Sequence, residues 1–217
     1  MKKSHLVILV VVGVVLIDQI LKVYIKTTFA YEEEHLILGL EWARLKFIEN
    51  PGMAFGMNFG GEIGKLILSL FRILAVILLG FILRSMIKDG VRTGVLVCFA
   101  LILAGALGNS IDGAIYGMIF SGSYHGVAEL FPEGGGYAPF LKGRVVDMFY
   151  FPMIDTYFPD GLPLVGGNRF QFFRPIFNVA DVSISTGVIA LIVLYRSFFR
   201  SGASKGTQVP GNQQSIS

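Results

Sequence analysis

Asp181 and a third candidate, Asp112, are carboxylic acids near the ends of apolar stretches, and Asp147 lies in the loop between those stretches. Two carboxylates brought close cannot both ionise cheaply, so the pair holds a single proton. The ionised member can take a proton from water while the protonated member polarises a carbonyl. Such a pair hydrolyses a peptide bond with no metal, no cofactor and no covalent intermediate. On residue chemistry alone, Asp181 pairs with either Asp147 or Asp112. Other hydrolytic chemistries lack their parts. His5, His35 and His125 are isolated and form no His-Glu-x-x-His zinc pattern. Ser110 has no Gly-x-Ser-x-Gly context. Cys98, the single cysteine, lies in an apolar run where an inert thiol is expected.

The elements that must position these acids follow from composition. Of 217 residues, 53% are hydrophobic and 15% charged, and the mean hydropathy is +0.67. A soluble domain carries about 25% charged residues, so this surface is read as lipid-facing, and a water-soluble enzyme is excluded. The net charge of +3 comes from scattered basic residues, which read as topology signals and call for no nucleic acid. Four stretches can each span about 30 Å of hydrocarbon: residues 6–25, 63–83, 95–119 and 176–199. The first is too long for a signal-peptide core, contains Asp18 and is expected to be retained.

With the N-terminus inside, the short cytoplasmic flanks hold Lys2, Lys3, Arg84, Lys88, Arg92, Arg196, Arg200 and Lys205, while the two long outer loops hold fewer basic residues. Both termini are therefore expected in the cytoplasm. The outer loops are 28–62 and 120–175. In the first, Leu40–Glu49 alternates partially and ends at Asn50-Pro51-Gly52, as a short strand or hairpin at the surface would. The second is long, rich in Gly, Pro and aromatic residues, with little regular pattern. The expected fold is an all-α membrane protein: one domain over 1–200 with four transmembrane helices, a small extracytoplasmic β-sheet and loop region, and a disordered tail over 201–217.

A charge within a span costs at least about 2.5–3.5 kcal/mol and needs a reason. Asp18 and Lys22 stand at i and i+4, acid before base, and read as a structural ion pair. Gly105, Gly108, Asn109 and Asp112 form one stripe on the third span. The glycines suit close packing, and Asn109 with Asp112 suits a polar site. Asp112 lies about 26 Å from the start of an outward-running helix, and Asp181 about 7–8 Å into an inward-running one. The polar groups thus converge at the outer interface.

Read in order, these residues resemble the motifs of bacterial lipoprotein signal peptidase, signal peptidase II. They are Asp18 with Lys22, Asn50-Pro51-Gly52-Met53-Ala54-Phe55-Gly56, Gly105-Ala106-Leu107-Gly108-Asn109-Ser110-Ile111-Asp112, Val145-Val146-Asp147, and Phe177-Asn178-Val179-Ala180-Asp181. The resemblance implies an intramembrane aspartyl endopeptidase of the bacterial inner membrane. Its substrates would be diacylglyceryl-modified prolipoproteins, cut just before the lipidated cysteine at the outer leaflet. Asp147 and Asp181 would form the catalytic dyad, Asn109, Asp112 and Asn178 would support it, and Asn50 with Gly52 would flank the substrate. A mobile flap and inhibition by the cyclic peptide globomycin are implied as well. No cofactor or metal is expected, membrane lipid and substrate are the expected partners, and a monomer is the expected state.

Two departures stand out. The family usually has Arg directly after the helix-3 Asp, where this chain has Gly113, so either Arg144 or Lys142 substitutes or the site is supported differently. Asp147 then stands 34 positions after Gly113, and Asp155 is a lesser rival to Asp147. The alternative function is a small proton- or cation-coupled transporter using intramembrane carboxylates. It lacks inverted repeats and has its acids gathered at one interface.

Overall fold

The computed structural model of the chain describes residues 2–51, 61–172 and 174–194. Helix α1 runs Lys3–Thr28, α2 Gly61–Lys88 and α3 Thr93–Ile111. A π-helical turn, Asp112–Tyr116, and a last turn α4, Gly117–Ile119, extend α3. With that extension three helical stretches, Lys3–Thr28, Ile63–Lys88 and Thr93–Ile119, are long and apolar enough to cross a membrane. A further apolar helix, α5, is described over Val179–Leu194. Its 16 residues rise about 24 Å. The fold is mostly helical with a small sheet.

The polarity of the bundle is that of a protein solvated by lipid. Ile8, Leu9, Phe71, Leu74, Phe81, Ile189 and Val193 point outward, whereas Asp18, Lys22, Asp112 and Asn178 are buried. Helix α3 packs against α1, α2 and α5. Its contact with α5 is a backbone contact. A Cβ on Gly105 would fall 2.2 Å from Ala180 O, and one on Gly187 would fall 2.6 Å from Cys98 O. Small residues are required there because packing, with no water to expel, is what holds helices together in lipid. At the other end of the bundle, Gly90 closes the α2–α3 turn with φ +71°. Lys3 Nζ donates to Gly90 O and Val91 O at 2.8 Å, tying the N-terminus to that turn.

A four-stranded antiparallel sheet caps the bundle in the order β1-β2-β3-β6. Its strands are β1 Glu34–Ile37, β2 Leu40–Asn50, β3 Val145–Tyr150 and β6 Ile176–Phe177. The register sets Ile48 opposite Asp147 and Asn50 opposite Val145. A separate hairpin pairs β4, Ile154–Tyr157, with β5, Arg169–Phe172.

Sequence expectation and structure differ at three places. The last helix, expected from residue 176, begins at Val179, because Ile176 and Phe177 pair as β6 with Tyr150 and Phe149. The second outer loop contributes β3, β4, β5 and β6, where little regular structure was expected. The third span is not one uniform α-helix but opens into the π turn at Asp112. Carbonyls at this helix end are taken by the segment leading to β3: Gly143 N–H donates to Gly113 O, Leu141 N–H to Ala114 O and Ala138 N–H to Gly117 O. Glycine permits that approach, since a Cβ on Gly143 would fall 2.2 Å from Asp112 O. The expected tail over 201–217 and the end of the fourth expected span, 195–199, lie outside the described residues.

Candidate active site

The start of α5 is built by two side chains. Asn178 Oδ1 accepts the backbone N–H of Asp181 at 3.0 Å, and Asp181 Oδ2 accepts the backbone N–H of Asn178 at 3.2 Å. This is a reciprocal capping box, which satisfies two of the N–H groups a helix start leaves unpaired. The first helical bond, Val182 N–H to Asn178 O, follows at 3.2 Å. Capping therefore fixes both side chains. The amide of Asn178 donates to Asp147 Oδ1 at 2.7 Å, and Asn109 Nδ2 donates to Asp181 Oδ1 at 2.9 Å.

Asp147 sits on β3 with 6% of its surface exposed. Burial above all, then the charge of Asp181, pushes its pKa up to about 7, against the pull of Lys22 and the Asn178 hydrogen bond. Its strand is held from below. Asp112 Oδ2 accepts Val146 N–H at 3.2 Å, and Asn178 Nδ2 lies 3.2 Å from Val146 O.

Lys22, fully buried, is the hub of the network beneath. Its ammonium lies 2.9 Å from Asp18 Oδ2, 2.8 Å from Asp112 Oδ2 and 2.9 Å from Asn109 Oδ1. Asp18 Oδ1 accepts Ala180 N–H at 2.9 Å, so α1 also secures the first turn of α5. The residues expected as a structural ion pair are paired, and they also bind α1, α3 and α5 together. Gly108 makes room for them, since a Cβ there would fall 2.5 Å from Asp18 Oδ2.

Asp147, Asp181, Asn109, Asp112, Asn178, Asp18 and Lys22 therefore form one connected cluster. Asn50 ends β2 on the strand beside Asp147. Gly52 lies outside the described residues. Asp155 is in β4, in the separate hairpin. Arg144 is engaged elsewhere: its guanidinium donates to Glu49 Oε2 at 2.9 Å and lies over the rings of Tyr124 and Tyr137.

Three participants were not anticipated from sequence. Gln19 donates to Asp112 Oδ1 at 3.0 Å and receives the Tyr116 hydroxyl at 3.1 Å. Lys26, one turn beyond Lys22 on the same stripe, pairs with buried Glu49 and with Ser123 Oγ. Its i+8 spacing from Asp18 was the available signal. Arg72, from α2, directs its charge at Asp112, Asp181 and Asp147. Its place amid lipid-facing neighbours was a signal as well.

The arrangement is a carboxyl pair bridged by an asparagine at the mouth of a helical bundle. The fold is shared with solved bacterial membrane enzymes. One, determined by the in meso method at 2.3 Å, is 23% identical and aligns over 95% of both chains with a TM-score of 0.56. Another, at 1.9 Å, is 26% identical over 88% of this chain and 92% of that one, with a TM-score of 0.57. Sequence comparison narrows the class. The family described as signal peptidase (SPase) II matches residues 10–198, and the chain belongs to that family. Its relatives include the lipoprotein signal peptidases of two Porphyromonas gingivalis strains, each 45% identical over 193 residues, covering 89% of this chain and 84% of the relative. The chain is accordingly an aspartic endopeptidase embedded in a membrane.

Proposed function

We propose that the chain removes signal peptides from diacylglyceryl-modified prolipoproteins, cutting just before the lipidated cysteine, with Asp147 and Asp181 as the catalytic dyad. The observation that carries this reading is the single asparagine, Asn178, that binds both residues. Asp147, buried and with its pKa raised, carries the shared proton. Asp181, whose two oxygens already accept N–H groups from Asn109 and Asn178, is the base.

In the proposed reaction a water between the carboxyls gives a proton to Asp181 as its oxygen attacks the scissile carbonyl carbon. Asp147 donates its proton to the carbonyl oxygen. The tetrahedral intermediate collapses with proton return to the leaving nitrogen, freeing the amino group of the lipidated cysteine and a carboxyl on the signal peptide. Asn109, Asp112 and Asn178 hold the dyad's elements, while Asn50 and Gly52 lie in the segment proposed to flank substrate.

The further proposed features are four spans with both termini cytoplasmic, the dyad at the outer leaflet of the bacterial inner membrane, and a monomer admitting substrate acyl chains laterally from lipid. The gathered charges at one end of the bundle favour this over the transporter reading, which needs acids deeper along a path. The test is cleavage of a lipidated prolipoprotein by purified enzyme, read by mass spectrometry of both products. Cleavage before the diacylglyceryl cysteine, and none of the unmodified precursor, is expected. Equal cleavage of both precursors contradicts the substrate assignment.

A further inference from the structure

The cluster at the site holds four carboxyls, on Asp18, Asp112, Asp147 and Asp181, while Lys22 is the one cation in direct ion-pair contact with them among the described residues. A second positive charge reaches them from α2. Arg72 is set three residues after Ser69, on the same helical face. That face is turned inward, since Ser69 is buried and its hydroxyl donates to Leu141 O at 2.8 Å. The neighbours Leu70, Phe71 and Leu74 face outward. The guanidinium therefore stands on the inner side of α2, where its charge acts on Asp112, Asp181 and Asp147.

Its position coincides with the place left open at Gly113. A Cβ built on Gly113 would lie 3.5 Å from Ser69 Oγ and 3.8 Å from Arg72 Nη1, ordinary contact distances with no clash. A side chain starting at residue 113 would thus project toward the space that the Arg72 guanidinium occupies. Arg144 is spent on Glu49 and does not fill this place.

We propose that Arg72 is a positioning residue for the dyad: from α2 it supplies the positive charge that the residue after Asp112 cannot supply in this chain, and holds one dyad carboxyl ionised. The inference rests on the dyad reading above. A cation beside a group that must be ionised lowers the pH at which that group takes up a proton; removing the cation moves the acidic limb of the activity profile upward. The charged groups in play are Asp112 after α3, Asp147 on β3, Asp181 on α5, Asp18 and Lys22 on α1, and Arg72 itself.

The experiment measures kcat and KM against pH on lipidated prolipoprotein for wild type, Arg72→Ala, Arg72→Lys, the double variant Arg72→Ala with Gly113→Arg, and Asp147→Asn. Arg72→Ala is expected to lower kcat by about tenfold or more and raise the acidic limb by about one pH unit. Arg72→Lys should retain most of the rate, and the double variant should recover both rate and limb. If Arg72→Ala fails to fold, Arg72→Gln takes its place under the same criteria. An unmoved limb in the neutral variant, or a double variant no faster than the single one, overturns the inference. Active Asp147→Asn would instead remove the dyad reading, whatever Arg72 does.

Discussion

Asn178 donates its side-chain amide to Asp147 Oδ1 at 2.7 Å while its carbonyl oxygen caps the helix carrying Asp181. One residue therefore couples a strand and a helix that are remote in sequence to a common geometry. Asn178→Ala removes both bonds. Loss of the cap alone costs about 1 kcal/mol of stability. The expected fall in kcat is far larger, at least about a hundredfold, because misplacement of reacting groups by about 1 Å costs that much. Steady-state cleavage beside thermal unfolding in detergent separates the two effects, and a loss of rate no larger than the loss of stability implies speaks against the bridge.

Asp147 should make the native enzyme less stable as pH rises. Its pKa is about 7 in the folded chain against an ordinary 3.8, so between those values the folded state binds the proton more tightly than the unfolded one. Stability from this group is full below about pH 4, declines toward neutrality and stays reduced above. Asp147→Asn lacks that decline. The variant should be inactive yet gain stability relative to wild type between pH 5 and 8, by on the order of a few kcal/mol. Thermal unfolding across that range checks it; parallel curves for the two proteins would contradict the assignment.

Lys22 lies between two buried acids, Asp18 and Asp112. Lys22→Met leaves both without their shared cation, which is expected to cost about 3–5 kcal/mol. Adding Asp112→Asn removes one of the stranded charges and should return part of the loss. A double-mutant cycle on unfolding in detergent measures the coupling. Additive effects would mean that Lys22 and Asp112 do not interact.

At Gly105, α3 lies directly against the backbone of α5. Gly105→Ala sets a methyl group against Ala180 O, one residue before Asp181. Because the obstacle is backbone, the helices must part, at a cost of about 1–3 kcal/mol. The Asn109–Asp181 bond should lengthen, with a drop of tenfold or more in kcat. Gly13→Ala, where nothing lies within 4 Å of the added carbon, is the matched control and should behave as wild type.

These relationships also show where sequence was informative. Hydropathy finds α1, α2 and α3 because lipid imposes a long, predominantly apolar run on each. Polar residues inside those runs, such as Asp18, Lys22 and Asn109, are conspicuous for the same reason. The start of α5 was misplaced by three residues because Ile176 and Phe177 are as apolar as the helix that follows. The Asn178-x-x-Asp181 capping pattern marks the true start. Strand β3 was hidden because its partner β2 lies far back in the chain, and β4, β5 and β6 because they are short segments within a Gly- and aromatic-rich loop. Arg72 was visible as a charge within an apolar run, but its role depends on what α2 faces, which the run itself does not disclose. The link of Lys26, Glu49 and Arg144 joins three separate segments, beyond the reach of any local pattern.

The most direct measurement of the central claim is the rate of prolipoprotein cleavage by Asp147→Asn, Asp181→Asn and the double variant, each confirmed as folded and membrane-inserted. Groups that act as one unit give non-additive losses. Each single variant should lose at least about a thousandfold in kcat, and the double variant should be no slower than either. Either single variant retaining near wild-type activity would contradict a shared-proton dyad of Asp147 and Asp181.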